Sequence, residues 1–130
     1  MKKFIKVIIL AMALIFVFAT LASCGRSINS LTKKAEKEGY EVKEVNPARY
    51  SGYNTALVAK GAKGQIESAI EIKKEVDGED LFATVYRFEK ASAAKIFAEQ
   101  NIRKLKKDEV MERSGKSVII GDKATVEAIW

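Results

Sequence analysis

Residues 65–76 alternate more cleanly than any other stretch of the chain. Ile66, Ser68, Ile70 and Ile72 fall on one side and Glu67, Ala69, Glu71 and Lys73 on the other, the period of two expected of a half-buried strand. Asp77-Gly78 follows, a strong signal for a tight hairpin. The chain then returns through residues 81–88, with Phe82, Tyr86 and Phe88 on one side and Leu81, Ala83 and Val85 on the other. Four further strands are predicted. Residues 40–45 partly alternate and stop at Asn46-Pro47, residues 53–60 centre on Leu57 and Val58, and residues 110–112 and 117–120 flank Ser114-Gly115-Lys116.

Three segments carry helical spacing instead. Ile28, Leu31 and Ala35 recur along one face, Ser27 or Asn29 can cap the start, and Gly39 followed by Tyr40 suits a glycine-terminated end with its hydrophobic contact. Over residues 91–107, Ala94, Ala98, Ile102 and Leu105 form a stripe flanked by Phe97. Gly121-Asp122 opens a last short helix, with Asp122 as its cap and Val126, Ile129 and Trp130 on the inner side. The order of elements predicts an α+β fold, a small antiparallel sheet of about 4–6 strands with helices on one face. Residues 30–130 make one domain.

The first residues follow different rules. Lys2, Lys3 and Lys6 precede an uncharged run over residues 7–25, the layout of a secretory signal with a basic start and an apolar helix. The run is also close to the ~18–20 residues that cross a bilayer. Its end separates the readings: Leu21-Ala22-Ser23-Cys24-Gly25 has an aliphatic residue, two small residues and then Cys. This resembles the lipobox of bacterial lipoproteins. The resemblance implies a signal peptide over residues 1–23 cut between Ser23 and Cys24, with Cys24 lipidated on sulfur and carrying acyl chains such as palmitate. It further implies a lipid anchor in the cell membrane, on the extracytoplasmic face. The competing reading of Cys24 is a buried free thiol near the end of a membrane helix. Residues 24–29 form the lipidated Cys and a short spacer; Gly25 to Asn29 spans less than ~20 Å even when extended.

Composition narrows the chemistry. The 130 residues include one Cys and no His, which excludes Ser-His-Asp and Cys-His sites, the usual zinc sets and an intramolecular disulfide. The formal charge of +6 includes the three signal lysines, so the remaining 107 residues carry +3. No cofactor and no metal is expected. Glu75, Asp77, Glu79 and Asp80 surround Gly78 but lack the ligand spacing of a calcium loop, and a hairpin tip explains them. Ser30 to Lys33 and Ser92 to Lys95 match the Ser-x-x-Lys spacing of penicillin-binding enzymes, yet the Lys-Thr-Gly element is missing. Lys60-Gly61-Ala62-Lys63-Gly64 lacks the Gly-Lys-Ser/Thr of a phosphate loop and is read as a turn. Glu67 and Glu71 are assigned to a solvent face.

Two groups remain as candidate contact residues. Arg103, Lys104, Lys106 and Lys107 form the densest basic cluster, suited to anionic lipid or a wall polymer, or simply to a solvated helix end complementing the helix dipole. Arg49, Tyr50 and Tyr53 lie in a predicted loop whose composition suits binding, or whose rings cover the edge of a small core. Glu38-Gly39-Tyr40, Tyr86-x-Phe88-Glu89 and Gly121-Asp122-Lys123 give the region a layout that resembles small uncharacterised surface lipoproteins of Gram-positive bacteria, a likeness that implies a fold and no activity.

The sequence therefore predicts a membrane-anchored binding or adaptor module that is not an enzyme, with the membrane and another surface protein as partners and no nucleic acid. A surface hydrolase using Ser, Lys or carboxylates is the alternative from a different class. A structural subunit of a membrane complex, with Trp130 and the Tyr50/Tyr53 segment at its interface, is a third.

Overall fold

Asp77 and Gly78 both adopt positive φ (52° and 81°), and the two longest strands turn back on each other there. β2 (Ile66–Val76) and β3 (Glu79–Phe88) pair antiparallel from Val76 opposite Glu79 to Ile66 opposite Phe88. The structure, a computed structural model, describes residues 26–130. The predicted signal helix, Ser23 and Cys24 lie outside the described residues. β1 (Glu41–Glu44) pairs with β2, β5 (Ser117–Asp122) with β3, and β4 (Glu109–Ser114) with β5. The result is one five-stranded antiparallel sheet in the order β1-β2-β3-β5-β4, as the α+β reading requires.

Four helices pack on it: α1 (Ile28–Lys37), α2 (Ser51–Ala59), α3 (Ala91–Asn101) and α4 (Lys123–Ile129). α1 ends as its sequence predicts. Ser27 Oγ accepts from the Ser30 N–H at its start, and Gly39 takes φ 86° beyond its end. The Gly39 N–H donates to Glu36 O (3.0 Å) and the Tyr40 N–H to Ala35 O (2.9 Å), the two bonds of a Schellman cap. Tyr40 thereby enters the core beside Leu31 and Ala35.

The helices lie on both faces of the sheet, not on one as predicted. Ala69 and Ile70 are consecutive and each only 3 % exposed, so both sides of the pleat are covered there. α1 and α4 cover Ile70, Ile72, Ala83, Val85 and Ile119. Residues of α2 and α3, with Tyr50, cover Ile66, Ala69, Phe88 and Val118. A bulge between Ile66 and Ser68 interrupts the predicted alternation. It turns Ile66 to the α2/α3 face, away from Ile70 and Ile72, and the Ile66 N–H is met by Asn54 Oδ1 at 2.8 Å.

Three other expectations are corrected. Residues 53–60 belong to a helix rather than a strand: Leu57 is fully buried while Val58 is 56 % exposed, and Tyr50, Tyr53 and Leu57 share a helical spacing that the Leu57-Val58 pair obscured. The helix predicted over 91–107 stops at Asn101, followed by a 3₁₀ turn (Ile102–Lys104) and extended backbone at Leu105. Asp122 does not cap α4 with its side chain; its carboxylate accepts the Phe82 N–H at 2.6 Å and ties the start of β3 to the end of β5.

Gly121 faces Ala83 across the β3–β5 ladder. A Cβ there would sit 2.4 Å from Phe82 O and 2.5 Å from Ala83 Cα, both on backbone that cannot swing aside. Gly121→Ala is expected to lose ~1–3 kcal/mol of stability, the cost of overpacking. Urea denaturation of the two proteins checks it, and an unchanged midpoint would contradict the close strand approach.

Candidate functional site

Pro47 opens a 3₁₀ turn (Pro47–Tyr50) that leads directly into α2, and Asn46 Oδ1 caps it by accepting the Ala48 N–H at 3.0 Å. The segment predicted to be a binding loop is thus helical, and its three candidate side chains point in different directions. Tyr50 is buried among Leu57, Ile66 and Phe88. Arg49 reaches across to β2 and pairs with Glu71 at 2.5 Å. Tyr53 lies at the surface edge of an aromatic layer, its ring edge-on to Tyr86 (5.8 Å between centroids) and to Phe97 (5.1 Å). Phe97 in turn packs on Tyr86 (5.0 Å) and Phe88 (5.1 Å).

Glu71 and Tyr86 complete this cluster and were not singled out for it from the sequence. The available signal was positional: Glu71 stands two residues after Ala69 and Tyr86 two before Phe88, on the face that α2 and α3 cover. Burial pushes the Tyr86 hydroxyl well above the ordinary tyrosine value. Neighbouring Tyr53, through its charge and its hydrogen bond, pushes the same way; Arg49 opposes and Glu71 adds slightly. The Tyr86 hydroxyl is thus a hydrogen-bonding partner of Tyr53.

Coverage of this face falls off along the strands. Phe88 is fully buried, whereas Phe82, on the same face of β3, is 36 % exposed. Beyond Glu71 the sheet forms an open recess of about 350 Å³ lined by Glu41, Lys43, Glu71, Lys73, Glu75 and Asp80, among others. Its charges are largely matched within the recess or at its rim: Lys43 with Glu41 at 3.4 Å, Lys73 with Asp80 at 3.5 Å, and Glu71 with Arg49. The arrangement can offer hydrogen bonds and charge contacts to a partner. Among the described residues, no group of three or more Cys, His or carboxylate side chains is placed to hold a metal ion.

The predicted basic cluster does not join this site. Arg103 and Lys104 sit in the 3₁₀ turn after α3, and Lys106 and Lys107 in the connection to β4. The Lys106 N–H is taken by Glu109 Oε1 at 2.8 Å, and Lys107 shares a recess with Glu79, Asp80, Asp108 and Asp122. Acids are interleaved with the cations, so the cluster is less basic in space than in sequence.

At the opposite end of the sheet, Arg26 is held in place. Its carbonyl accepts from Ser117 Oγ (2.5 Å) and from Arg87 Nη1 (3.4 Å), and its guanidinium lies 4.7 Å from the Trp130 ring. Trp130 thus packs against its own chain. No helix among the described residues is long and apolar enough to cross a membrane.

The raised Tyr86 hydroxyl gives a signed expectation. Above pH ~10 an unfolded tyrosine releases its proton while folded Tyr86 keeps it, so stability from this group is full below that pH and declines as pH rises beyond it. Tyr86→Phe is expected to remove that part of the alkaline loss. Chemical denaturation of both proteins between pH 8 and pH 11 reads it, and parallel curves would show that Tyr86 titrates normally.

Compared with known proteins, the chain matches no family model, no curated protein and no solved structure, so the functional reading rests on the residues and geometry above.

Proposed function

We propose that this chain is a bacterial lipoprotein whose α+β domain is a binding or adaptor module on the outer face of the cytoplasmic membrane. Residues 1–23 act as the signal peptide, and Cys24 becomes the acylated first residue of the mature chain. One observation carries the reading: Leu21-Ala22-Ser23-Cys24-Gly25 closes an uncharged apolar run that begins behind Lys2, Lys3 and Lys6. Small side chains at 22 and 23 suit an extended backbone entering a peptidase cleft. Two or three acyl chains, at ~0.8 kcal/mol per buried CH₂, hold a protein on a bilayer where a single chain does not.

The fold supports the reading in two ways. The domain begins almost immediately after Cys24: Arg26 is already bonded to Ser117, and Ser27 caps α1. Only Gly25 separates Cys24 from Arg26 in the sequence, so an anchor at Cys24 keeps the domain close to the bilayer. The half-covered sheet face, with Phe82 partly exposed beside a recess of paired charges, offers a partner charged and apolar contacts. The pairing of Glu71 with Arg49, which occupies that carboxylate, supports reading the face as a binding surface.

Cys24→Ala tests the anchor. The variant is expected to incorporate no labelled palmitate, to remain as the uncleaved precursor and to run more slowly on a denaturing gel. Normal cleavage together with membrane partitioning in the variant would show that the lipobox reading is wrong.

A further inference from the structure

We infer that the end of the domain from which residue 26 leaves the fold is a docking surface for the anionic headgroups of a lipid bilayer. This rests on the reading that Cys24 carries the acyl anchor. The surface is assembled from segments far apart in sequence. The Ser117 hydroxyl binds the Arg26 carbonyl, the Phe88 N–H donates to Lys116 O (2.7 Å), and Glu89 exchanges hydrogen bonds with Gln65. Lys90 lies against Gly64. These contacts bring together the segments that carry Arg26, Lys63, Lys90 and Lys116, and among the described residues none of the four is in an ion pair. Acids towards this end include Glu67, Glu89 and Glu112, and the Glu89 carboxylate is engaged with the Gln65 N–H.

The other end of the sheet is mixed in charge, with Lys107 and Lys123 among its acids. The β2–β3 turn carries Glu75, Asp77, Glu79 and Asp80, and Asp108, Glu109 and Asp122 stand beside it. β2 alone is 11 residues long, so about 35 Å separates the two ends at the usual strand rise. That is several times the Debye length of ~8–10 Å, so the acids at the far end do not cancel the field at the near one. Lys106 and Lys107 sit by the far end, beside Glu109 and Asp108. Cys24 lies two residues before Arg26, which limits its Cα to about 7 Å from that residue. The headgroups therefore meet the basic end, and the strands stand away from the membrane with the acidic turn outermost.

The test uses the acylated chain, whose Cys24 thiol is consumed, with one added thiol carrying a fluorophore. Ser92→Cys marks the basic end and Glu79→Cys the acidic end. Both are placed in vesicles of phosphatidylcholine alone or with one-third phosphatidylglycerol, with a quencher on the headgroups. The label at 92 should be quenched at least about twofold more than that at 79 in anionic vesicles. The difference should shrink in 0.5 M salt and in a Lys63→Glu, Lys90→Glu, Lys116→Glu variant. Equal quenching at both positions, or quenching at 92 that ignores lipid charge, salt and the triple variant, overturns the docking surface.

Flotation with phosphatidylcholine vesicles reads the acyl anchor alone. A chain that does not float there refutes the anchor, and the surface is then judged by flotation with anionic vesicles at low salt. Binding that the triple variant loses supports it; no binding, or binding the variant keeps, overturns it.

Discussion

A strand can bury two consecutive residues only when something covers each of its faces, and Ala69-Ile70 in β2 and Val118-Ile119 in β5 both meet that condition. Much of the architecture follows. The Ile70 side needs α1 and α4, and the Ala69 side needs the helices that begin at Ser51 and Ala91. The bulge after Ile66 belongs to the same requirement, because it moves one more aliphatic side chain to the face where Phe88 and Phe97 already lie. With little apolar area per face in a domain of this size, splitting the core into two layers leaves each one dependent on a few large residues.

The features legible in the sequence were those whose chemistry is local. Asp77-Gly78 specifies its own turn, Gly39-Tyr40 its own helix end, and the alternation of β2 and β3 needs only near neighbours to be recognised. What was missed was either hidden by a competing local pattern or dependent on partners distant in the chain. Leu57-Val58 looks like a strand core until Tyr50 and Tyr53 are seen to share a helical face with Leu57. Asp122 looks like a cap until the Phe82 N–H arrives from another strand. The sheet face of Glu71 and Lys73 looks solvated because its apolar part is concentrated at one end, around Ala69, Tyr86 and Phe88.

Charge along the chain and charge in space differ for a related reason. Arg103 to Lys107 is the densest basic run along the chain, but folding sets Asp108, Glu109 and Asp122 beside it. Lys63, Lys90 and Lys116 are isolated in sequence, and hydrogen bonds between the segments that carry them gather them in space. Arg49 and Tyr53 did find partners, in Glu71 and Tyr86, but those partners fix α2 to the sheet and leave the open half of the face to Phe82 and the paired charges around it.

The attachment of Arg26 also has a mechanical side. Its carbonyl is bonded to Ser117 and Arg87, which belong to β5 and β3, interior strands of the sheet. Tension drawn through the first residues of the domain therefore passes into the middle of the sheet before it reaches α1. A pull on residue 26 therefore has to part the Ser117 and Arg87 contacts before it loads α1.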